Sequence, residues 1–149
     1  MTNPIVFLTE SNHIEGIRRA PNEEEFEAFA RFLRDFEPTA TTLGDLQSVF
    51  APGKPLRERV GDDVQVGRYI APRGGPTIVR RLNTLLRRML AGSDPWTTHV
   101  AFEMLHPYMD GNGRTGRMLW AWHMRAVGRD PFALPFLHRF YYQTLEAYG

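Results

Sequence analysis

Apolar positions recur with helical period along most of the chain. From Asn22 to Phe36, the residues Phe26, Phe29, Ala30, Leu33 and Phe36 fall at helical spacing. Glu23, Glu24 and Glu25 occupy the first turn, where the helix dipole favours negative charge. Glu37-Pro38 ends that helix. Leu43, Leu46 and Phe50 predict a shorter helix over 42–50, broken by Ala51-Pro52-Gly53. Over 78–91, Leu82, Leu85, Leu86, Met89 and Leu90 share one face, with Arg80, Arg81, Arg87 and Arg88 on an opposite, solvated face. Ser93 or Asp94 caps the next helix, which has Pro95 at its first position and runs through Trp96, Val100, Phe102 and Leu105 to His106. The helix from Asn112 to Val127 is apolar on nearly every side, through Met118, Leu119, Trp120, Ala121, Trp122 and Met124, which predicts a central, buried position. Gly128 and Pro131 close it, and an aromatic-rich helix is predicted over 135–148.

Residues 54–76 break the helical pattern. Val60, Val64, Val66, Tyr69 and Ile70 alternate with Gly61, Asp62, Gly67, Pro72, Gly74, Gly75 and Pro76, which reads as a β-hairpin or ordered loop. The chain has no internal repeat and no low-complexity segment. The expected fold is an all-α bundle carrying one small β-hairpin, as one domain over residues 1–149.

Composition narrows the class. The length of 149 residues suffices to bury a core without covalent staples. With no Cys there is no disulfide framework and no thiolate nucleophile or ligand. No apolar run approaches the roughly 20 residues of a membrane helix, and Met1 to Glu10 lacks the basic and apolar regions of a secretory signal. A cytoplasmic protein is expected. The net charge of +1 is a cancellation: residues 1–50 carry −5, residues 51–100 carry +5 and residues 101–149 carry +1. Lys54 is the one Lys, so the positive charge is almost all Arg, whose planar fork suits phosphate and carboxylate.

The chemistry concentrates in His106-Pro107-Tyr108-Met109-Asp110-Gly111-Asn112-Gly113-Arg114-Thr115-Gly116-Arg117. A His ends one helix, a tight turn follows, and a second helix opens with two Arg. A helix N-terminus turns free N–H groups and a positive dipole end outward, which makes an anion site. Gly111 and Gly113 let the backbone come close to that anion. Arg114 and Arg117, three apart, lie on one helix face and can grip further phosphates. Asp110 is a hard oxygen ligand suited to Mg²⁺ beside phosphates, and His106 titrates near neutrality and can accept a proton from an incoming hydroxyl. The loop therefore reads as a polyphosphate holder with a base beside it.

Two other patterns overlap this stretch. Gly111 to Gly116 fits G-x-G-x-x-G, but helix rather than strand precedes it and no βαβ unit surrounds it. Asp110-Gly111-Asn112 opens like a calcium loop, but Arg114 and Thr115 stand where an acidic or amide residue and Gly belong. A Walker A sequence is absent.

Residues 106–117 resemble the signature of the Fic family, H-P-F-x-[D/E]-G-N-G-R-x-x-R, at every specified position but one: Tyr108 stands where the family usually has Phe. That family residue packs beneath the loop, so the Tyr108 hydroxyl needs a partner or costs roughly 1–3 kcal/mol. Leu43 to Leu46, Gly53 to Arg57, and Val64 to Pro72 followed by the 78–91 helix are similar to the family's order of helix, turn, flap hairpin and helix. The resemblance implies a Fic-type helical bundle that transfers AMP from ATP, with Mg²⁺, to a Ser, Thr or Tyr hydroxyl of a target protein or of the chain itself. It implies His106 as the base and Asp110 as the Mg²⁺ ligand. Gly111, Asn112 and Gly113 would hold the α-phosphate, Arg114 the β-phosphate and Arg117 the γ-phosphate. A flap of about residues 60–74, through Val64, Val66, Gly67, Tyr69 and Ile70, would hold the target segment by strand-like pairing.

Ser11-Asn12-His13-Ile14-Glu15-Gly16 resembles the family's inhibitory pattern, [S/T]-x-x-x-E-[G/N], within a segment of about residues 9–20. The resemblance implies that Glu15 pairs with Arg117 and blocks the γ-phosphate position, with Ser11 in the same motif. Two rivals stand beside this reading. One is phosphoryl transfer of the Doc branch, whose pattern H-x-F-x-D-x-N-K-R lacks the counterparts of Gly113 and Arg117. The other is a non-catalytic module that docks nucleic acid or an acidic partner on the Arg face of 78–91, with Arg68 and Arg73; no nucleic-acid-reading motif accompanies that face. No membrane partner is expected, and homo-oligomers are compatible with the sequence. His13, His99, His123 and His138 form no metal-ligand spacing and read as packing or surface residues. Glu103, one turn before His106, reads as a solvated or salt-bridged carboxylate, and Phe140, Tyr141 and Tyr142 as aromatics of the last helix.

Overall fold

The computed structural model describes residues 3–133, and the helix expected over 135–148, with His138, Phe140, Tyr141 and Tyr142, lies outside them. The described chain is mostly helical, with one small antiparallel hairpin, as the period of the apolar positions requires. The helices are α1 (Pro4–Ile14), α2 (Glu23–Leu33), α3 (Ala40–Phe50), α4 (Pro76–Leu90), α5 (Pro95–Leu105) and α6 (Asn112–Ala126). The hairpin is β1 (Gln65–Val66) and β2 (Tyr69–Ile70), with Gln65 opposite Ile70 and Val66 opposite Tyr69. Two residues, Gly67 and Arg68, connect the strands, and Gly67 supplies the positive φ of 57° that such a tight loop needs at its first position.

α6 packs against α1, α2, α3 and α5, as its all-round apolar surface predicts. Met118, Leu119 and Ala121 are buried on it, facing Phe29, Leu43, Leu46 and Phe102 in one core cluster. Each fully buried Leu or Phe of this kind contributes roughly 1.5–3 kcal/mol. Asp94 is the residue that caps α5, through its carboxylate to the Thr97 N–H at 3.0 Å. The Arg face of α4 is solvated, with its arginines exposed. No described helix is long and apolar enough to cross a membrane.

Two findings depart from the apolar pattern. The stripe through Phe26 and Phe36 is not the buried face of α2: Phe36 is 87% exposed, and the buried positions are Glu25, Ala28, Phe29 and Phe32. Glu25 turns inward because its carboxylate has partners there. It closes a capping box with Asn22, pairs with Arg19 at 2.6 Å and receives the Asn12 amide at 3.4 Å. Arg19, those hydrogen bonds and Asn12 outweigh the upward push of burial and hold its carboxyl below the usual range.

The second departure is α1, a helix that the spacing of apolar residues does not announce. Asn3 caps it through the Val6 N–H at 2.9 Å, and Pro4 opens it. Phe7 stacks on Phe29 with ring centroids 5.7 Å apart and meets the edge of Phe132 at 5.3 Å, which docks α1 on the core. At the other end Gly16, φ 75°, turns the chain: the Gly16 N–H donates to His13 O and the Ile17 N–H to Asn12 O, each at 2.9 Å. That pair of bonds is a Schellman cap, so Glu15 is the last position before the chain leaves the helix.

Candidate active site

The α5–α6 connection brings His106, Asp110 and the two arginines to one corner of the bundle. α6 starts at Asn112 with Gly111 before it at φ 77°, and no side chain caps its first N–H groups. A Cβ on Gly111 would lie 3.0 Å from Ala51 Cβ, so the turn needs Gly for conformation and for space. The N–H groups of the first turn have no carbonyl of the helix to reach, and a helix end of this kind can receive an anion.

The Asn112 side chain braces the loop from within. Its Oδ1 accepts from the Tyr108 N–H and its Nδ2 donates to Tyr108 O, both at 2.8 Å and buried. Both polar atoms of the amide thus brace the loop, while the amide nitrogen keeps a second N–H beyond the one given to Tyr108 O. Gln47, which sequence reasoning missed, braces the other side: its Nε2 donates to Asp110 O at 3.0 Å and to Lys54 O at 2.6 Å. Tyr108 forms an isolated bridge with Leu56 and is 2% exposed, and its hydroxyl has no hydrogen-bond partner among the described residues. Burial drives its pKa well above the ordinary phenol value.

His106 closes α5 in the left-handed region, φ 51° and ψ 60°, the one non-Gly residue with positive φ among those described. That conformation costs roughly 1–2 kcal/mol. Burial lowers the His106 pKa below the ordinary imidazole value, and the Arg57 cation lowers it further. A hydrogen bond from the ring to the Glu103 carbonyl opposes both and leaves the other ring nitrogen for a proton. Glu103 therefore meets His106 through its main chain. Its side chain is buried rather than solvated, and burial pushes its carboxyl up to about 8. His99 is likewise buried, held down to about 3, with Nδ1 3.1 Å from Gly116 O. The His99–Glu103 separation of 4.0 Å is hence an uncharged contact near neutral pH rather than an ion pair. Gly116 makes room for this layer, since a Cβ there would collide with the Glu103 carboxyl and Phe102.

Arg114 and Arg117 leave the α6 start in different directions. Arg114 donates to Phe50 O at 2.9 Å and lies over the Phe50 ring at 5.3 Å. Its remaining N–H groups make no hydrogen bond among the described residues. Arg117 is fully buried against α1: Nε donates to Ser11 Oγ at 2.8 Å, and Nη2 to Ser11 O at 3.0 Å and to Glu15 Oε1 at 2.8 Å. Ser11 and Glu15 reach Arg117 together because four residues bring them to one helix face. The Glu15 carboxylate also overhangs the first turn of α6, since a Cβ on Gly113 would collide with Oε1.

Asp110 is exposed, with Oδ1 accepting from the Gly111 N–H at 2.8 Å. A single carboxylate beside an anion-binding helix end fits Mg²⁺, which draws most of its ligands from phosphates and water. Among the described residues no group of three or more His, Cys, Asp or Glu side chains is placed to hold a metal ion by itself. In the hairpin, Val66 and Ile70 are exposed and Gly67 forms the turn, with Val64 half-buried below them. Tyr69 instead turns inward, its hydroxyl donating to Met104 O at 2.5 Å, so it anchors the flap rather than presenting a face.

Arg57 is the main residue that sequence reasoning missed. It is fully buried and touches the last turn of α5 and both feet of the flap. Its contacts are with main-chain carbonyls, which carry no sequence signal. No curated protein matches this chain. The model of the Fic/DOC family matches residues 24–124, from α2 through most of α6 and including the whole of 106–117. The chain belongs to the Fic/DOC family, whose members are typically transferases, and is a helical bundle of that family with a small hairpin.

Proposed function

We propose that the chain transfers AMP from Mg-ATP to a Ser, Thr or Tyr hydroxyl of a protein, and that Glu15 restrains this activity. The observation that carries the reading is the pairing of Arg117 with Glu15 over the uncapped start of α6. The carboxylate is a small anion held by a cation at an anion-binding helix end, where a terminal phosphate of a nucleotide would otherwise sit.

His106 removes the proton from the target hydroxyl, and the hydroxyl oxygen bonds to the α-phosphorus. The bond from that phosphorus to the bridging oxygen breaks, and pyrophosphate leaves with the electron pair. The N–H groups of the first α6 turn and the Arg114 fork hold the phosphate oxygens as charge shifts onto the leaving group. Asp110 would hold Mg²⁺, which when bound neutralises phosphate charge. The exposed edge of the hairpin pairs with the target strand and brings its hydroxyl within reach of His106.

With Glu15 engaged, Arg117 is spent and ATP binds without its terminal phosphate seated. Phosphoryl transfer is the rival reading, and label position separates the two. Incubated with the Glu15→Gly protein, α-labelled ATP leaves label on protein. Retention from γ-labelled ATP alone would overturn AMP transfer.

A further inference from the structure

The last turn of α5 ends in carbonyls that no Gly cap satisfies, because His106 itself occupies the left-handed position. Four consecutive carbonyls there are taken by two residues from outside the helix. Tyr69 Oη donates to Met104 O at 2.5 Å, Arg57 Nη2 to Leu105 O at 2.9 Å, Arg57 Nε to His106 O at 2.6 Å and the Arg57 main-chain N–H to Pro107 O at 2.8 Å. The other edge of the same guanidinium spans the flap, with Nη1 donating to Asp62 O at 2.9 Å and to Pro72 O at 2.7 Å. The Arg57 carbonyl accepts from the Gly75 N–H at 2.9 Å, one residue before α4.

We propose that Arg57 is a positioning residue that fixes His106 relative to the flap, through one fully buried guanidinium that bridges the C-terminus of α5 and both feet of the hairpin. This rests on the reading of His106 as the base. The fork geometry matters because only Arg presents planar N–H groups to four carbonyls at once, and a Lys ammonium in its place would reach one or two. Its cation at the negative end of the α5 dipole is favourable, and its side-chain hydrogen bonds go to main-chain carbonyls. A base held by the same group that holds the substrate-binding edge keeps the distance from base to hydroxyl fixed when the flap takes up a target.

A residue that merely stabilised the fold would change the amount of active protein and nothing else. Arg57 has two further signatures. The charged groups that act on His106 are Arg57, Asp110 and Glu15, and Arg57 alone lowers its proton affinity. Replacing Arg57 by a neutral residue therefore raises the His106 pKa, which a structural role need not do. It also displaces the base without touching the α6 start, so turnover falls while ATP binding holds.

The test uses the full chain carrying Glu15→Gly, alone and combined with Arg57→Gln or Arg57→Lys. The His106 ring is titrated by NMR, which needs no activity, and kcat and KM for ATP are measured. Arg57→Gln is expected to raise the His106 pKa, because the cation that depresses it is gone. It is also expected to lower kcat about tenfold or more, with KM for ATP within about twofold. Arg57→Lys is expected to keep the low His106 pKa and still lose turnover. An unchanged titration in Arg57→Gln, or parental turnover in either variant, overturns the proposal. Where Arg57→Gln does not fold, Arg57→Lys decides by its turnover. An inactive Glu15→Gly parent would count against AMP transfer itself, while the titration still reads the positioning.

Discussion

Glu15 Oε1 and Arg117 Nη2 meet at 2.8 Å, with the carboxylate lying where a side chain on Gly113 would have to go. α1 is built to deliver that contact. Phe7 docks the helix on Phe29 and Phe132, Asn12 fixes its face against Glu25, and Gly16 stops it one residue after Glu15. Register as well as charge sets the contact, because Ser11 one turn earlier takes the Nε edge of the same guanidinium.

Glu15→Gly is expected to free Arg117 for phosphate and to raise AMP transfer. If engagement leaves about 1% of molecules competent, the gain is about a hundredfold, or roughly 2.7 kcal/mol. Ser11→Ala leaves the carboxylate in place and removes one hydrogen bond from the Arg117 guanidinium, so a smaller gain of about threefold to tenfold is expected. Initial rates with saturating target measure both.

His106→Ala abolishes transfer without unfolding the chain, since the ring is half-buried and the α5 cap uses its backbone. As the proposed base, His106 has to act as the neutral ring. Burial and Arg57 depress its pKa, so the acid limb of the kcat/KM profile falls below the ordinary imidazole range of about 6.5. A limb above that range would contradict the assignment.

Tyr108→Phe removes a buried hydroxyl that has no partner among the described residues. It is expected to stabilise the protein by about 1 kcal/mol, with kinetics retained, as read by denaturant melts. Destabilisation would mean that the hydroxyl is satisfied in solution.

Glu103→Gln should show itself in the pH dependence of stability. The folded-state pKa of Glu103 is raised to about 8, so folding favours the protonated acid. Its favourable contribution is complete below the unfolded value of about 4.5 and is lost as pH rises through about 8. The amide does not titrate. Glu103→Gln therefore gains on the parent progressively across that window, while His99 contributes equally to both. A constant difference in melting temperature from pH 4 to pH 9, both on the order of the window's ends, would contradict it.

The helices that place the site were legible wherever burial follows a simple stripe. The all-round apolar surface of α6 marked the central helix, and the signature residues told where it starts. α1 was not legible because its buried face mixes Phe7 and Leu8 with Ser11 and Asn12, whose burial depends on Arg117 and Glu25 far along the chain. The face of α2 was misread for the same reason: a charged residue, Glu25, occupies a core position once Arg19 and Asn12 meet it. Arg57 left no trace in periodicity, since a side chain that satisfies carbonyls obeys no repeat. Asn112 was visible as a site residue, but its bond to Tyr108 is a matter of loop geometry that spacing does not encode.

The central claim is a restrained AMP transferase with His106 as its base. It is tested most directly by incubating three forms with α-labelled ATP and counting label retained on protein: the parent, Glu15→Gly, and Glu15→Gly with His106→Ala. Little label is expected on the parent, strong label on Glu15→Gly and none on the double variant. Equal label on the parent and Glu15→Gly would contradict the restraint, and label retained by the double variant would contradict the base.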